Sequence, residues 1–209
     1  TSFYTAATVD NAPVLVAAEA VAGHPMLNPV WEPQHSRLLI LLATNPVVSH
    51  GYGTTLADPV RRLRENQALG GQVWTIDPRR TESAALSDNH LQVRPGSDVI
   101  LLAAIVRELF DDERCRDSLA ATCHDSDVDR LAQAVRPFSL DAAEIATGCS
   151  RELIDELVAQ LRSNFGRVAM FCGTGTTMAI DGILVEWLRW VLLAMTNSLD
   201  VIGGMRFNE

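Results

Sequence analysis

Residues 38–46 read Leu-Leu-Ile-Leu-Leu-Ala-Thr-Asn-Pro, and the predicted fold is built around this segment. An apolar run that stops at a polar residue followed by proline is typical of a buried parallel strand, because proline cannot donate to a sheet and disfavours the helical conformation in the residue before it. The pattern recurs at residues 73–81, Val-Trp-Thr-Ile-Asp-Pro-Arg-Arg-Thr, and residues 94–98 read Arg-Pro-Gly-Ser-Asp. Ligands of open α/β sheets bind at the carboxyl ends of strands. The candidates to line one such site are Asn45, Asp77 and Asp98.

The segments around these runs alternate as they do in an α/β protein. Residues 55–69 carry charge on one face and end at two glycines before the second strand, which predicts a crossover helix. Residues 99–110 have helical apolar spacing, and Ser97 or Asp98 is the predicted cap. A further strand and a long apolar helix are predicted at 167–172 and 180–195. The predicted fold class is α/β, with a Rossmann-like parallel sheet flanked by helices and a helical insertion.

The sequence divides into three parts. Residues 1–36 have helix-like spacing from Val14 to Val21 and then a proline-containing connection, and we interpret them as part of a preceding domain or a linker. Residues 37–205 form the predicted dinucleotide-type region, in which 111–149 are an insertion of short helices. Residues 206–209 are interpreted as a truncated tail of an excised segment. Predicted helix ends in and after the insertion are Ser139, Gly148 and Ser150.

The composition excludes several classes of protein. An apolar share of 47% and a charged share of 21% indicate a globular domain, and a formal charge of −9 argues against nucleic acid as a partner. All 17 basic residues are arginine, which excludes a catalytic lysine. No Cys-x-x-Cys motif or metal-binding histidine spacing is present, so neither a zinc site nor iron–sulfur ligands are predicted. The cysteines are interpreted as reduced thiols of a cytoplasmic protein.

The longest apolar run, residues 183–195, does not predict a membrane span. It is too short to cross a bilayer and is interrupted by Glu186 and Arg189. Trp187 and Trp190 lie on the same run, and the interpretation at this point is that they are core or interface residues.

Two glycine-containing turns could hold phosphate through their backbone N–H groups. They are Gly173-Thr174-Gly175 and Gly96-Ser97. A turn of this kind after a strand is more often only a tight connection, so the alternative stays open.

The carboxylates that follow the strands are more specific. Asp77 and Asp98 could accept hydrogen bonds from the adjacent N–H donors of guanine and from the hydroxyl groups of a ribose. The alternative is that Asp98 only caps a helix and that Asp77 only forms a turn before a proline. Arg79 and Arg80 could reach a diphosphate, or they could remain solvated.

The ordered set of motifs resembles the molybdopterin oxidoreductase family, the bis-molybdopterin guanine dinucleotide enzymes that include formate dehydrogenases and periplasmic or assimilatory nitrate reductases. The Asp-Pro-Arg and Pro-Gly-Ser-Asp pair at this spacing is a specific signal. The resemblance spans roughly residues 4–205. It rests on Leu42–Ser49, Ile76–Ala84, Asp88–Leu91, Val93–Asp98, Ala146–Ser150, Thr196–Asn197 and Gly203–Gly204.

The resemblance implies that the chain is the central part of a catalytic subunit and holds one molybdopterin guanine dinucleotide, with molybdenum or tungsten as the metal. The family's iron–sulfur domain and the domain that completes the second dinucleotide site would lie outside this segment. Asp10 is the nearest oxygen candidate for a metal ligand, because a carboxylate suits a high-valent metal, although Asp-Asn before proline is usually a turn or a cap. The implied cofactor-binding residues are Thr44, Asn45, Pro46, Ser49, Asp77, Pro78, Arg79, Thr81, Gly96, Ser97, Asp98, Thr174, Gly175 and Met178.

Three functions follow as alternatives. The first is a fragment of a molybdenum or tungsten oxidoreductase that has no turnover alone and whose partners are the remaining domains of the same polypeptide and a redox protein. The second is a non-catalytic scaffold that resembles the large iron–sulfur subunit of a respiratory NADH dehydrogenase, and Asp77 and Asp98 argue against it. The third is an α/β module that binds guanine nucleotides.

Overall fold

A computed structural model describes residue 2 and residues 9–51 and 56–207. It confirms the predicted α/β class, since a four-stranded parallel sheet is flanked by helices. The order of the strands in this sheet is β4-β3-β2-β5, and a separate antiparallel pair is formed by β1 and β6. The strands are β1 (Val30–Trp31), β2 (Leu38–Leu42), β3 (Gln72–Ile76), β4 (Asn89–Leu91), β5 (Val168–Cys172) and β6 (Met205–Arg206).

The central strand β2 is apolar at every position because both faces of the sheet are covered. All five of its residues are buried, which is the pattern of a parallel strand packed between helices. Leu42 is in register with Ile76 of β3 and with Cys172 of β5, and Ile76 is in register with Leu91 of β4. The carboxyl ends of the four strands therefore meet at one edge of the sheet, which we call the carboxyl edge.

The chain leaves β2 in one direction through β3 and β4, and β5 returns to the opposite side of β2. The position between β2 and β5 is a topological switch point, where ligands of such sheets bind. The helices that surround the sheet are α1 (Ala12–Ala22), α2 (Pro46–Ser49), α3 (Pro59–Ala68), α4 (Asp98–Leu109), α5 (Glu113–Ala120), α6 (Asp125–Val135), α7 (Leu140–Thr147), α8 (Arg151–Ser163), α9 (Thr174–Thr177) and α10 (Gly182–Met195).

Two helices start later than the sequence pattern indicates. Helix α3 begins at Pro59 because Asp58 caps it, accepting a hydrogen bond of 3.2 Å from the backbone N–H of Arg61. The predicted start at Thr55 lies outside the described residues. Helix α10 begins at Gly182 rather than at residue 180, because the preceding residues form a turn.

Most of the predicted helix caps are present. Ser139 and Ser150 accept hydrogen bonds from backbone N–H groups in the first turns of α7 and α8, and Gly148 ends α7 with a φ of 75°. Ser97 occupies the N-cap position of α4, but its hydroxyl donates to the carbonyl oxygen of Arg94 at 2.6 Å instead of accepting from the helix. The predicted cap position is therefore right, while the side-chain cap bond is absent.

Sequence analysis did not predict strand β4 or the β1–β6 pair. Strand β4 has three residues, two of them polar, so it lacks the apolar run of the other strands. The segment before β6 covers the outer edge of β5. Ser198 Oγ accepts a hydrogen bond from the backbone N–H of Val168 at 3.1 Å, and Met205 Sδ lies 3.2 Å from the backbone nitrogen of Met170. These side chains satisfy strand groups that would otherwise template another strand.

The helices predicted as an insertion form a layer beside the sheet. Helix α7 packs on α4 and α8, and α5 packs on α10. Their buried apolar residues, such as Leu119, Val128 and Leu140, join the same core that contains the strands. The assignment of separate domain boundaries stays a prediction. Within the described residues, no helix has the length and hydropathy to cross a membrane.

The turn after β5 touches the end of β2 so closely that only glycine fits there. A Cβ atom on Gly173 would lie 2.3 Å from the carbonyl oxygen of Ala43. We expect Gly173→Ala to destabilise the fold by about 3 kcal/mol, as overpacking against backbone does. Urea denaturation measures this change.

Gly70→Ala is the matched control for that substitution. Gly70 has a φ of +85°, and a Cβ atom added there would have no neighbour within 4 Å, so its replacement carries only a backbone cost of about 1 kcal/mol. Equal effects of the two substitutions would contradict the close approach of the β5 turn to β2.

Candidate functional site

The carboxyl edge brings together the loops that carry the predicted site residues. The residues that follow β2 are 43–45, those that follow β3 are 77–81, and those that follow β5 are 173–178. Because Leu42, Ile76 and Cys172 are in register, these three loops leave the sheet at the same level. Helix α4 starts at the same edge, after the loop that follows β4. Its first residue is Asp98.

The side chain of Asn45 fastens the loop after β3 to the end of β2. Its Oδ1 accepts hydrogen bonds from the backbone N–H of Ser83 at 3.1 Å and from the Ser83 hydroxyl at 2.7 Å. Its Nδ2 donates to Glu82 Oε2 at 2.7 Å. The pKa of Glu82 is lowered by a backbone hydrogen bond, by this bond from Asn45 and by the charge of Arg79. Asn45 therefore shapes the edge through the loop it holds.

Three other predicted residues near β2 also have structural contacts. Pro46 is buried as the first residue of α2, where its missing N–H group costs nothing. Ser49 Oγ donates to the carbonyl oxygen of Asn45 at 3.1 Å, which closes that short helix. Thr44 is partly exposed and lies against the turn after β5, so it faces the switch point.

The loop after β3 is ordered by its own polar side chains. Asp77 Oδ1 accepts a hydrogen bond of 2.8 Å from the backbone N–H of Arg79, and Thr81 Oγ1 accepts one of 3.0 Å from that of Ala84. The turn-forming role considered for Asp77 is therefore present, and it occupies only one of the two carboxylate oxygens. Pro78 accepts a bond from Gln92 through its carbonyl oxygen. Thr81 is 3% exposed, so its hydroxyl supports the loop from inside.

The two arginines of this loop point toward solvent. Arg79 is exposed and forms an ion pair of 3.7 Å with Glu82. Arg80 is exposed as well, and within the described part of the chain no carboxylate lies at ion-pair distance from it. Both guanidinium groups are accessible to an anion above the carboxyl edge, although Arg79 would have to exchange or share its contact with Glu82.

Asp98 is a buried carboxyl group among other carboxylates. It is 7% exposed, and burial is the main cause that raises its pKa, while hydrogen bonding to its own backbone N–H opposes the rise. The charges of Asp181 and Asp77 raise the pKa of Asp98 further. The predicted pair of Asp77 and Asp98 therefore lies in one electrostatic neighbourhood at the carboxyl edge.

Sequence analysis missed Asp181, which joins this pair. It occupies the N-cap position of α10, yet its side chain makes no cap hydrogen bond. Its carboxylate comes close enough to Asp98 to affect that group's pKa. The signal in the sequence was an aspartate near the start of the helix predicted over 180–195, a position where a polar residue is usual. We call Asp77, Asp98 and Asp181 the acidic cluster.

The glycine turns have structural causes that are independent of phosphate. Gly96 has a φ of +79° and open space around it, so its backbone conformation explains the residue. A Cβ atom on Gly175 would lie 2.8 Å from that of Ala43, so close packing requires glycine there too. Thr174 and Met178 are accessible beside this turn, and Met178 is 60% exposed. The turn thus presents an accessible surface at the switch point.

Asp10 lies in the turn before α1, and Asn11 is the N-cap residue of that helix. The Oδ1 atom of Asp10 is buried and has no hydrogen-bond partner in the structure. The described residues contain no group of three or more histidine, cysteine, aspartate or glutamate side chains that could hold a metal ion. A metal at Asp10 would therefore depend on ligands that are not supplied by this part of the chain.

A buried ion pair lies behind the end of β5, and sequence analysis treated its members only as interruptions of an apolar run. Arg189 Nε donates to Glu186 Oε2 at 2.8 Å, and the two residues are 4% and 1% exposed. Their i, i+3 spacing on α10 is the signal that could have predicted the pair. Burial and the charge of Glu186 raise the pKa of Cys172 well above its usual value, so this residue stays a neutral thiol.

Comparison with known proteins gives the same family that the motifs resemble. No protein-family model matches the chain. The chain is 30% identical over 145 residues to an assimilatory nitrate reductase of Haloferax mediterranei, a match that covers 68% of this chain and 18% of that protein. It is 24% identical over 181 residues to formate dehydrogenase H of Escherichia coli, which covers 87% of this chain and 24% of that protein.

The fold is shared with a solved structure. Acetylene hydratase from Pelobacter acetylenicus superposes with a TM-score of 0.72 at 18% sequence identity, over 90% of this chain and 24% of that one. The chain belongs to the molybdopterin oxidoreductase family. Its relatives are oxidoreductases, and the family uses a molybdenum or tungsten pterin cofactor. The chain spans 18% and 24% of the length of these two curated relatives.

The raised pKa of Asp98 makes folding stability depend on pH. Between the usual aspartate pKa of about 3.9 and the higher value in the folded protein, the folded state binds more protons than the unfolded state, so stability falls as pH rises. We expect Asp98→Asn to remove this loss and to be more stable than the native chain above that range. Urea denaturation at a series of pH values measures the effect, with the exposed Asp129→Asn as control. A native-like pH slope in Asp98→Asn would contradict the prediction.

Substitution of one member of the buried Glu186–Arg189 pair should destabilise the protein more than substitution of both members. Arg189→Met leaves Glu186 buried without a counter-charge, and we expect a loss of about 3–5 kcal/mol in unfolding free energy. The double variant Glu186→Met and Arg189→Met removes both charges and should recover most of that loss. Chemical denaturation of both variants provides the test. A double variant as unstable as Arg189→Met would show that the pair does not act as a unit.

Proposed function

We propose that this chain is the part of a molybdenum or tungsten oxidoreductase that binds the guanine nucleotide end of one molybdopterin guanine dinucleotide at the carboxyl edge. The observation that carries the proposal is the placement of the acidic cluster, because Asp77 follows β3 and Asp98 starts α4 after β4, so both stand at the carboxyl edge. The cluster stands at the edge where nucleotides bind in open α/β sheets. Membership in the family supports the same ligand class.

The donor and acceptor chemistry of the cluster fits the proposed ligand. Guanine presents neighbouring N–H donors and ribose presents hydroxyl donors, and an ionised carboxylate offers only acceptors. Asp98 carries a desolvation cost when ionised, and hydrogen bonds from a ligand would offset that cost. A phosphate would instead be repelled by these carboxylates. We therefore propose that the diphosphate lies near Arg79 and Arg80, in the loop after β3.

The neighbouring residues would then orient the nucleotide. Arg79 and Arg80 extend from the loop after β3 into solvent and can pair with the diphosphate oxygens. Thr174 and the backbone of Gly175 are accessible at the switch point, where the ligand continues toward its pterin. Asn45, Ser49 and Thr81 act indirectly, since their hydrogen bonds fix the loops that carry the ligand-binding groups.

The metal side of the proposal concerns Asp10. Its buried and unpartnered Oδ1 is an oxygen donor that a hard, high-valent metal would accept as a ligand. When bound, the cofactor supplies oxygen-atom or electron transfer at its metal. The protein's part is to place and orient the cofactor and to exclude water from it.

The remaining domains of a longer polypeptide would complete the cofactor site. The basis for this is the length of the relatives, of which the chain covers 18% and 24%. We propose that the segment alone has no turnover and only modest affinity for the cofactor's nucleotide end, because binding energy from the other contacts is missing. The electron-transfer partner would contact the complete enzyme.

Calorimetric titration with guanosine diphosphate tests the proposal directly. We expect binding to the chain that weakens at least tenfold in Asp77→Ala and in Asp98→Ala, since a lost charged hydrogen bond costs roughly 1.5–3 kcal/mol. Affinity should also fall as the pH drops and Asp98 becomes protonated, because the neutral acid loses acceptor capacity.

Adenosine diphosphate and Asp129→Ala serve as the matched controls. Adenine lacks the adjacent N–H donors of guanine, so it should bind more weakly, and Asp129 is an exposed residue of α6 that belongs to none of the loops at the edge. Equal affinity for the two nucleotides, or no effect of the two edge substitutions, would reject the guanine assignment. Absence of molybdenum, tungsten and pterin from the full-length protein, purified from a host that makes the cofactor, would favour a scaffold or a plain nucleotide-binding module.

A further inference from the structure

A small cavity with a mixed apolar and polar lining is formed by α1, the connection before β1, the end of β5 and α10. Its volume is about 40 Å³, and its walls include Val14, Asn28, Phe171, Cys172 and Arg189. A water molecule needs roughly 10–15 Å³ of such space, so two or three would fit. Organic ligands occupy pockets of about 300–1,000 Å³, so the cavity is too small for them.

Arg189 brings hydrogen-bond donors to this cavity that the protein does not use. Its Nε is occupied by Glu186 Oε2, and its guanidinium group stacks over Trp190 with Cζ 5.0 Å from the ring centroid. Within the described residues, the bond from Nε to Glu186 is the one side-chain hydrogen bond that Arg189 makes. A guanidinium that is 4% exposed loses its hydration on folding, so its remaining N–H groups need acceptors inside the protein.

Asn28 brings an unused acceptor to the same cavity. Its Oδ1 is buried and has no hydrogen-bond partner in the structure. A buried acceptor without a partner costs free energy comparable to a lost hydrogen bond, and the cost rises in apolar surroundings such as those of Val14 and Phe171. A ligand that fits this cavity must accept hydrogen bonds from Arg189 and donate one to Oδ1 of Asn28.

We propose that this cavity is a binding site for water, in which ordered molecules accept hydrogen bonds from Nη1 and Nη2 of Arg189 and donate one to Oδ1 of Asn28. Water has both functions and the right size. Because Glu186 and Arg189 form a pair without net charge, the cavity favours a neutral ligand over an anion or a cation. The Cys172 thiol adds a weak polar group and no charge.

The bound water links elements that carry the candidate site. Val14 belongs to the first turn of α1, shortly after Asp10, and Cys172 ends β5 at the carboxyl edge. Water that bridges Arg189 and Asn28 therefore fixes the connection after α1 against α10 and β5. The inference concerns packing behind the edge and does not depend on the proposed nucleotide ligand.

Val14→Leu distinguishes a hydrated cavity from a dry one, because it should change the stability of the protein in opposite directions in the two cases. A larger apolar side chain that expels bound water leaves donors and an acceptor unpaired, and we expect the unfolding equilibrium constant to rise on the order of tenfold. Filling a dry cavity would stabilise the protein instead. Val16→Leu is the matched control, since Val16 is on the same helix, is 46% exposed and is not part of the cavity wall. It should change the constant by less than about twofold.

Asn28→Leu provides a second and independent test, because the direction of its effect on the free energy of unfolding also depends on whether water is bound. If water is bound, this substitution removes its partner and destabilises the protein, whereas loss of an orphaned acceptor from a dry site would stabilise it. A crystal structure of the native chain under xenon pressure completes the test. We expect ordered water within about 3.2 Å of Arg189 and Asn28 and no xenon. Stabilisation by both substitutions, or xenon in the cavity, would overturn the proposal.

Discussion

The parallel register of β2 with β3 and β5 governs how every other part of the molecule is placed. Because Leu42 is level with Ile76 and Cys172, the three loops that follow these strands leave the sheet together. The turn after β5 can then reach the end of β2, an approach that Gly173 makes possible because it has no side chain. Buried apolar surface on both faces holds this arrangement in place.

The carboxyl edge contains polar groups whose burial costs free energy of folding when no ligand is bound. Asp98 is buried, and burial together with the charges of Asp181 and Asp77 raises its pKa, which reflects that cost. Asn45 and Thr81, by contrast, have partners for their polar atoms and act as structural ties. A buried carboxyl group without a compensating charge is typical of ligand-binding sites, and this is the physical basis on which we propose that the acidic cluster binds a ligand.

The shared fold and the particular features of this chain have different sources. The sheet and its helices superpose on acetylene hydratase at 18% identity, because many apolar sequences satisfy the same register. The Glu186–Arg189 pair places two charges within an otherwise apolar helix, where each charge is the partner of the other.

Local patterns in the amino-acid sequence were enough to predict three of the four strands of the parallel sheet and most helix ends. They also predicted that Asn45 and Asp77 follow the ends of two strands. These features could be predicted because apolar runs, prolines and helix caps act over a few residues. Local patterns were not enough for strand β4, whose polar residues pair only because β3 is beside them. The association of Asp181 with Asp98, and the turning of the Asn45 side chain to Ser83 and Glu82, came from the three-dimensional packing. Residues that are distant in the sequence become electrostatic or hydrogen-bonding partners only when the tertiary structure packs them together. No local sequence pattern predicts such contacts.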